Sequence, residues 1–289
     1  MRAVKNLLKR VLPVSIQNKI IHRDEYLRIA SINRALKYQS LFGLYNNLTS
    51  IVPDIADQYT CSEIKSEYFR TKVRALHAFQ ISLVQEALEL LRLNITKPLT
   101  IVDIGDSCGT HLQYLKFFYK DIDTLSVNLD RKAVEKIQKK GLKAICAKAE
   151  DLNKYSVKAG IYLSFEMLEH LRDPINFLYK FSHNVESETF IVTVPYLNQS
   201  RVGLRYIKDN QKKLVCAENV HIFELSPDDW KLIFNYSGWS VVRERIYLQY
   251  PEKGMFKFLR NYWKKIDYEG FYGVILKRDF SWSDLYKDW

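Results

Sequence analysis

The sequence predicts an α/β protein, with a mostly parallel sheet of seven strands lying behind a helical N-terminal lobe. Three observations lead there. Residues 1–95 contain a single glycine, Gly43, and their apolar residues recur at three- and four-residue steps, the period of packed helices. After Pro98 the texture changes to short β-branched runs alternating with amphipathic segments, as in a parallel sheet covered on both faces. A chain of 289 residues with 47% apolar content is also long enough to bury one substantial core.

In chain order, residues 1–96 form the helical lobe. Its strongest segment begins near Ser62, with polar first-turn residues through Ser66. It carries Phe69, Val73, Leu76, Leu83, Val84, Leu88 and Leu91 on one stripe before Asn94 and Pro98 close it. Strands are expected at 100–104, 124–128, 143–147, 161–165 and 189–194. Helices such as 132–140 and 174–183 lie between them, the latter capped by Asp173 with Pro174 at its first position. Two last runs, 240–249 and 270–278, suit an antiparallel edge pair. Residues 97–289 thus make a second domain, with long insertions at 196–219 and 250–268 and no internal repeat.

Composition narrows the partners. A net charge of +11 and a pI near 9.3 point to an anionic surface, either nucleic acid or a phospholipid leaflet. Cys61, Cys108, Cys146 and Cys216 are widely spaced with no CxxC, and Cys108 and Cys146 fall in or beside buried strand patterns, so reduced thiols and a cytosolic chain are expected. No apolar run reaches the ~20 residues of a membrane-spanning helix. The basic start is interrupted by Pro13 and lacks the apolar core of a signal peptide.

The chemistry is carried first by "TIVDIGDSCGTHLQYL". Ligands in open α/β sheets sit at the carboxyl ends of strands. The first strand ends at Ile104, so Gly105-Asp106-Ser107-Cys108-Gly109 is the natural cradle, with a helix N-terminus behind it. A dinucleotide site would need G-x-G-x-x-G, but Leu112 occupies the third glycine position and that reading fails.

The run "DIGDSCG" instead resembles motif I, D-x-G-x-G-x-G, of class I S-adenosylmethionine-dependent methyltransferases, with Ser107 in place of the middle glycine. Four further segments match in family order: "SVNLDRKAVEKI", "CAKAEDLNKY", "LSFEMLEHLRDPINFL" and "HIFELSPDDWKLIFNYSGWSVV". Together they cover roughly residues 97–280 and place the chain with the small-molecule branch. The resemblance implies a seven-stranded Rossmann-like sheet, S-adenosylmethionine as cosubstrate, and a cofactor site built from Asp103, Gly105, Asp106, Ser107, Gly109, Asn128, Asp130, Ala149, Glu150 and Phe165. In that frame Asp103 organises the turn and faces the methionine amino group. Asn128 takes the place of the usual ribose-binding acid, with Asp130 two residues on, and Ala149 and Glu150 flank the adenine. Gly160 stands where an aspartate often precedes the fourth strand. His111, just past the turn, is expected as a cofactor-side wall.

Methyl transfer to a hydroxyl needs an aligned acceptor and removal of its proton. His170 is the candidate base, with Glu166 beside it. If "EMLEH" is helical, Glu166, Glu169 and His170 share one face at i, i+3, i+4; with His221 they would suit a divalent cation, a set some methyltransferases with an ExxEH segment use, although many relatives with that segment have no known metal. The insertion after the fifth strand reads as a lid or acceptor-binding loop, with Arg201, Arg205 and Tyr206 as candidate contacts, or else as a solvated basic loop; His221, just beyond it, is a further candidate acceptor contact.

Two basic amphipathic segments, "MRAVKNLLKRVLP" and "EKGMFKFLRNYWKK", fit either a membrane interface or ordinary packing. The downstream segments also resemble methyltransferases of bacterial surface-polysaccharide assembly. The expectation is therefore an O-methyltransferase for a sugar, glycan or other small hydroxylated acceptor, with a lipid-linked saccharide compatible, working in the cytoplasm or on the inner face of the membrane. An RNA methyltransferase and a catalytically silent fold relative are the alternatives. Nucleic acid is disfavoured because no aromatic-rich recognition module is present.

Overall fold

The structure, a computed structural model, describes residues 14–54, 64, 66–91, 99–155, 157–202, 220–249 and 270–286. Three helices come first: α1 (Val14–Tyr38), α2 (Phe42–Ile51) and α3 (Glu67–Leu91). Alternating elements follow: β1 (Leu99–Ile104), α4 (Thr110–Phe118), β2 (Ile122–Asn128), α5 (Arg131–Lys139), β3 (Ala144–Cys146), β4 (Ile161–Phe165), α6 (Pro174–Asn184) and β5 (Thr189–Pro195). A short ribbon of β6 (Arg201–Val202) and β7 (Phe223–Glu224) leads to α7 (Pro227–Tyr236), β8 (Trp239–Leu248) and β9 (Gly270–Arg278). Among the described residues no helix is long and apolar enough to cross a membrane.

The seven-stranded sheet runs β3-β2-β1-β4-β5-β9-β8. β1 to β5 pair in parallel, whereas β9 is antiparallel to both β5 and β8. The expected strand types are therefore present, and β9 and β8 form the expected antiparallel pair at that edge, with β9 on its inner side. The reason is hydrophobic content, since Val274, Ile275 and Leu276 are all buried and need cover on both faces.

Side chains alternate across the sheet and feed two cores. Val102 and Ile104 of β1 join Phe177 and Phe181 of α6 and Trp230 and Phe234 of α7 on one face. Ile101 joins Phe79, Leu83 and Val84 of α3 and Leu112 and Leu115 of α4 on the other. Period-two alternation places Asp103 on the face that carries α3 and α4. The α3 stripe holds from Val73 to Leu88, but Phe69 is exposed and the helix starts at Glu67, where the Ser66 hydroxyl accepts the Phe69 N–H at 3.4 Å. Ser62 lies outside the described residues.

Two smaller expectations also resolve. Asp173 caps α6 by accepting the Asn176 N–H at 3.0 Å, with Pro174 in the first turn as read. Cys108 is buried, whereas Cys146, the last residue of β3, is exposed; both are thiols and neither is in a disulfide.

Candidate active site

The turn after β1 is shaped by two glycines in the left-handed region, Gly105 at φ +89° and Gly109 at φ +72°. Asp106 Oδ1 accepts the Gly109 N–H at 2.8 Å and closes the turn against the start of α4. Ser107, between them, has no positive φ, so a side chain is tolerated there. The Gly105 N–H donates to the Val127 carbonyl at 2.8 Å, and Asn128 Nδ2 donates to the Asp106 carbonyl at 2.6 Å. Asn128 Oδ1 accepts the Asp130 N–H at 2.7 Å, and Asp130 Oδ1 caps α5 by accepting the Lys132 N–H at 2.8 Å. Asn128 therefore ties the turn to the backbone after β2 with the two ends of its amide, which leaves Asp130 as the carboxylate at the end of β2.

Two acids are buried behind this turn. Asp103 is 1% exposed and Asp106 3%, and Asp103 Oδ1 and Asp106 Oδ2 have no hydrogen-bond partner among the described residues. Burial, reinforced by the nearby Asp103 charge, pushes the Asp106 carboxyl up to about 7. Asp103 Oδ2 lies 3.0 Å from His111 Nδ1.

In front of the turn opens a cavity of about 540 Å³ at the carboxyl ends of β1, β2 and β4. Gly105, Ser107, Asn128, Asp130, Ala149, Glu150, Phe165, Glu166 and His170 all line it.

At its far end β4 gives way to a break rather than a helix. Glu166 has φ +52°, and only Leu168–His170 form a single 3-10 turn. Burial pushes the Glu166 carboxyl up to about 8, against a hydrogen bond from Thr193. Glu169 is fully buried, neither carboxylate oxygen has a hydrogen-bond partner among the described residues, and burial followed by the neighbouring Glu166 holds its carboxyl well above the usual range. His170 Nδ1 donates to the Val220 carbonyl at 3.1 Å, its Nε2 lies 3.8 Å from Glu169 Oε1, and its ring meets that of His221 edge-on at 4.8 Å. His221 Nδ1 is 3.2 Å from Glu224 Oε1. One donor atom from each of Glu169, His170 and His221 falls within 4.8 Å of the others. Glu166 is not in that group, because the helical register that would have put it on a shared face does not form.

No protein-family model matches the chain, and no curated protein matches it in sequence. Solved structures do match. An O-methyltransferase from a trans-AT PKS multienzyme of Brevibacillus brevis, in complex with S-adenosyl-L-homocysteine, aligns at 11% identity over 81% of this chain and 79% of that one, with a TM-score of 0.50. A protein provisionally assigned as a sarcosine dimethylglycine methyltransferase from Galdieria sulphuraria aligns at 7% identity over 78% and 91%, with a TM-score of 0.51. The fold is the Rossmann-like methyltransferase fold.

Within the methyltransferase fold, the expected site residues divide by position. Gly105, Ser107, Asn128, Asp130, Ala149, Glu150, Phe165, Glu166 and His170 converge on one cavity, while Asp103 and Asp106 stand behind its wall. His111 was expected on that wall. It is instead buried behind Phe165, its ring 4.8 Å from the phenyl, because Asp103 and Gln80 hold both its nitrogens. Arg201 is paired to Glu224 Oε2 at 2.5 Å across the β6–β7 ribbon, which makes it a ribbon staple. Arg205 and Tyr206, most of the 196–219 insertion, the 250–268 insertion and the basic start lie outside the described residues. A Cβ at Gly160 would collide with Leu99 Cδ1, so an aspartate there would have to displace that side chain.

Sequence reasoning missed Lys148, Met167, Leu171 and Arg172 on the cavity and His77 and Gln80 behind it. The last two left a signal: polar side chains set into the apolar stripe of α3. Burial holds the His77 imidazole well below its ordinary value, and its ring meets that of His111 edge-on at 4.8 Å.

Proposed function

We propose that the chain is an S-adenosylmethionine-dependent O-methyltransferase acting on a sugar, a glycan or another small hydroxylated acceptor. A saccharide carried on a lipid at the cytosolic face of a membrane would fit the +11 charge and the basic amphipathic segments. One observation carries the reading: a single cavity lined by the Gly105–Ser107 turn, Asp130, the 149–150 pair and, at its other end, an imidazole.

In this reading the turn, backed by the two buried acids, holds the amino-acid tail. Asp130 meets the ribose, and Ala149, Glu150 and Phe165 enclose the base. When bound, the sulfonium nucleoside supplies an electrophilic methyl group and leaves as a neutral thioether. His170 is the base: with Nδ1 donating to the Val220 carbonyl, Nε2 carries the lone pair that takes the acceptor's hydroxyl proton as the oxygen–carbon bond forms. Glu166, with its carboxyl at about 8, is neutral near pH 7 and orients the acceptor as a hydrogen-bond donor.

A second reading of the same corner rests on the orientation of the two histidines. Each directs Nδ1 to an outer acceptor, Val220 O or Glu224 Oε1, as metal-bound imidazoles do, and the fully buried Glu169 carboxylate beside them lacks hydrogen-bond partners. Glu169, His170 and His221 therefore fit a divalent cation, which would polarise an acceptor oxygen. His170 Nε2 cannot serve as both ligand and base.

Titration calorimetry with S-adenosylhomocysteine tests the first reading; saturable binding is expected, and its absence overturns the assignment. Methylation assays with glycan and RNA acceptors follow, with and without chelator. Activity surviving chelation keeps His170 as the base, and activity lost to chelator and restored by Mn²⁺ or Mg²⁺ makes it a ligand. Salt-sensitive transfer to RNA alone would replace the glycan acceptor.

A further inference from the structure

We propose that Gln80, on the N-terminal helix α3, is a positioning residue for the donor pocket; this rests on the methyltransferase reading above. Gln80 is 2% exposed and does not line the cavity. Its amide is nonetheless the centre of a continuous polar chain behind the cavity wall. Oε1 lies 2.8 Å from His111 Nε2, and Nε2 donates to Thr193 Oγ1 at 3.0 Å. On one side, His111 Nδ1 reaches Asp103 Oδ2 at 3.0 Å. On the other, the Thr193 carbonyl accepts the Glu166 N–H at 2.9 Å. Residues from α3, α4, β1, β5 and the break after β4 are thus joined through one side chain.

The chemistry of the amide explains why glutamine stands here. It offers an acceptor and a donor on one rigid plane, matching an imidazole N–H on one side and a hydroxyl oxygen on the other. Because Oε1 only accepts, His111 must carry a proton on Nε2, which fixes how the ring faces Asp103. The same contact holds the ring edge-on between Phe165 and His77, each 4.8 Å away. Phe165 lines the cavity and Asp103 backs the turn, so Gln80 sets both without touching a ligand. Remove it, and buried donors and acceptors on His111 and Thr193 lose their partner, a larger penalty than the bond itself confers.

The test uses the full chain and two readouts, S-adenosylhomocysteine calorimetry and ¹H–¹⁵N spectra of the histidine side chains, with His111 assigned from its absence in His111→Asn. The wild type is expected to show a slowly exchanging His111 Nε2–H. Gln80→Leu should lose that signal and weaken S-adenosylhomocysteine about tenfold, the size of one buried hydrogen bond. Gln80→Glu, which keeps an acceptor, should retain the His111 signal and recover much of the affinity. A folded Gln80→Leu with wild-type affinity and an unchanged His111 signal overturns the proposal, as does a wild-type His111 protonated on Nδ1 alone. Should the wild type not bind S-adenosylhomocysteine, the methyltransferase reading falls while the spectra still decide whether Gln80 sets the His111 proton.

Discussion

Replacing Gly109 with alanine is expected to lower the unfolding free energy by about 2–4 kcal/mol, by the sum of a left-handed backbone and an overpacked contact. Gly109 sits at φ +72° at the start of α4, where an L side chain is strained. A Cβ there would stand 2.9 Å from Leu142 Cδ1 and 3.4 Å from Ile137 Cγ2, both buried, the second on α5. Relief would come from displacing the Leu142 side chain or from a shift of the turn, and the second would strain the 2.8 Å bond from the Gly109 N–H to Asp106 Oδ1. That shift deforms the turn assigned to the cosubstrate's amino-acid tail, so S-adenosylhomocysteine should bind more than about tenfold less tightly, the equivalent of roughly 1.4 kcal/mol. Urea denaturation and calorimetry check the two effects; wild-type stability together with wild-type affinity would show that the turn is not held as described.

Replacing Asp106 with asparagine is expected to make the protein more stable above pH 7 and indistinguishable from wild type near pH 4. Burial raises the folded-state value from 3.8 to about 7, so between those values the folded chain binds more protons than the unfolded chain. Stability from this group is fully present below pH 3.8 and is lost as pH rises to about 7. A rise of that size is worth about 4 kcal/mol, most of it removed in the asparagine variant because the amide oxygen can still accept the Gly109 N–H. Thermal unfolding from pH 4 to 9 measures it, and parallel curves for the two proteins would refute the burial argument. The same group bears on ligand binding. A cationic ammonium seated near Asp106 favours the ionised carboxylate, so S-adenosylhomocysteine binding at pH 6 should release a proton, visible as buffer-dependent binding enthalpy, and the asparagine variant should not release it.

The legible parts of this chain were local. The strands at 161–165 and 270–278 are short runs rich in aliphatic and aromatic residues, and both are found at those bounds. Asp173 and Pro174 announce α6 by cap chemistry alone. The spacing of Gly105 and Gly109 after an apolar strand is a backbone requirement written directly into residue type, and the glycines take positive φ accordingly. The cavity-lining set came instead from the resemblance of five segments to the methyltransferase family; each member sits within a few residues of a strand's carboxyl end, and together they line one cavity.

Other features depended on partners far along the chain. Nothing near Gln80 says that its amide will meet His111, or that the hydroxyl on its other side will belong to Thr193. The helical reading of Glu166 to His170 was reasonable by spacing, yet the pull of β4 into the sheet and the bond from Ile222 N to the Glu169 carbonyl, 2.7 Å, break the register and leave Glu166 out of the His170–His221 corner. Likewise β9 enters the sheet beside β5 because its apolar run needs two covered faces, a demand that only the finished layers can meet. The sequence by itself determined the alternation of elements, the glycine turn and the residues at strand ends, since these follow from backbone preference and period. Which buried polar groups face one another was decided only by tertiary structure, because that depends on how two cores, assembled from the whole chain, press the helices onto the sheet.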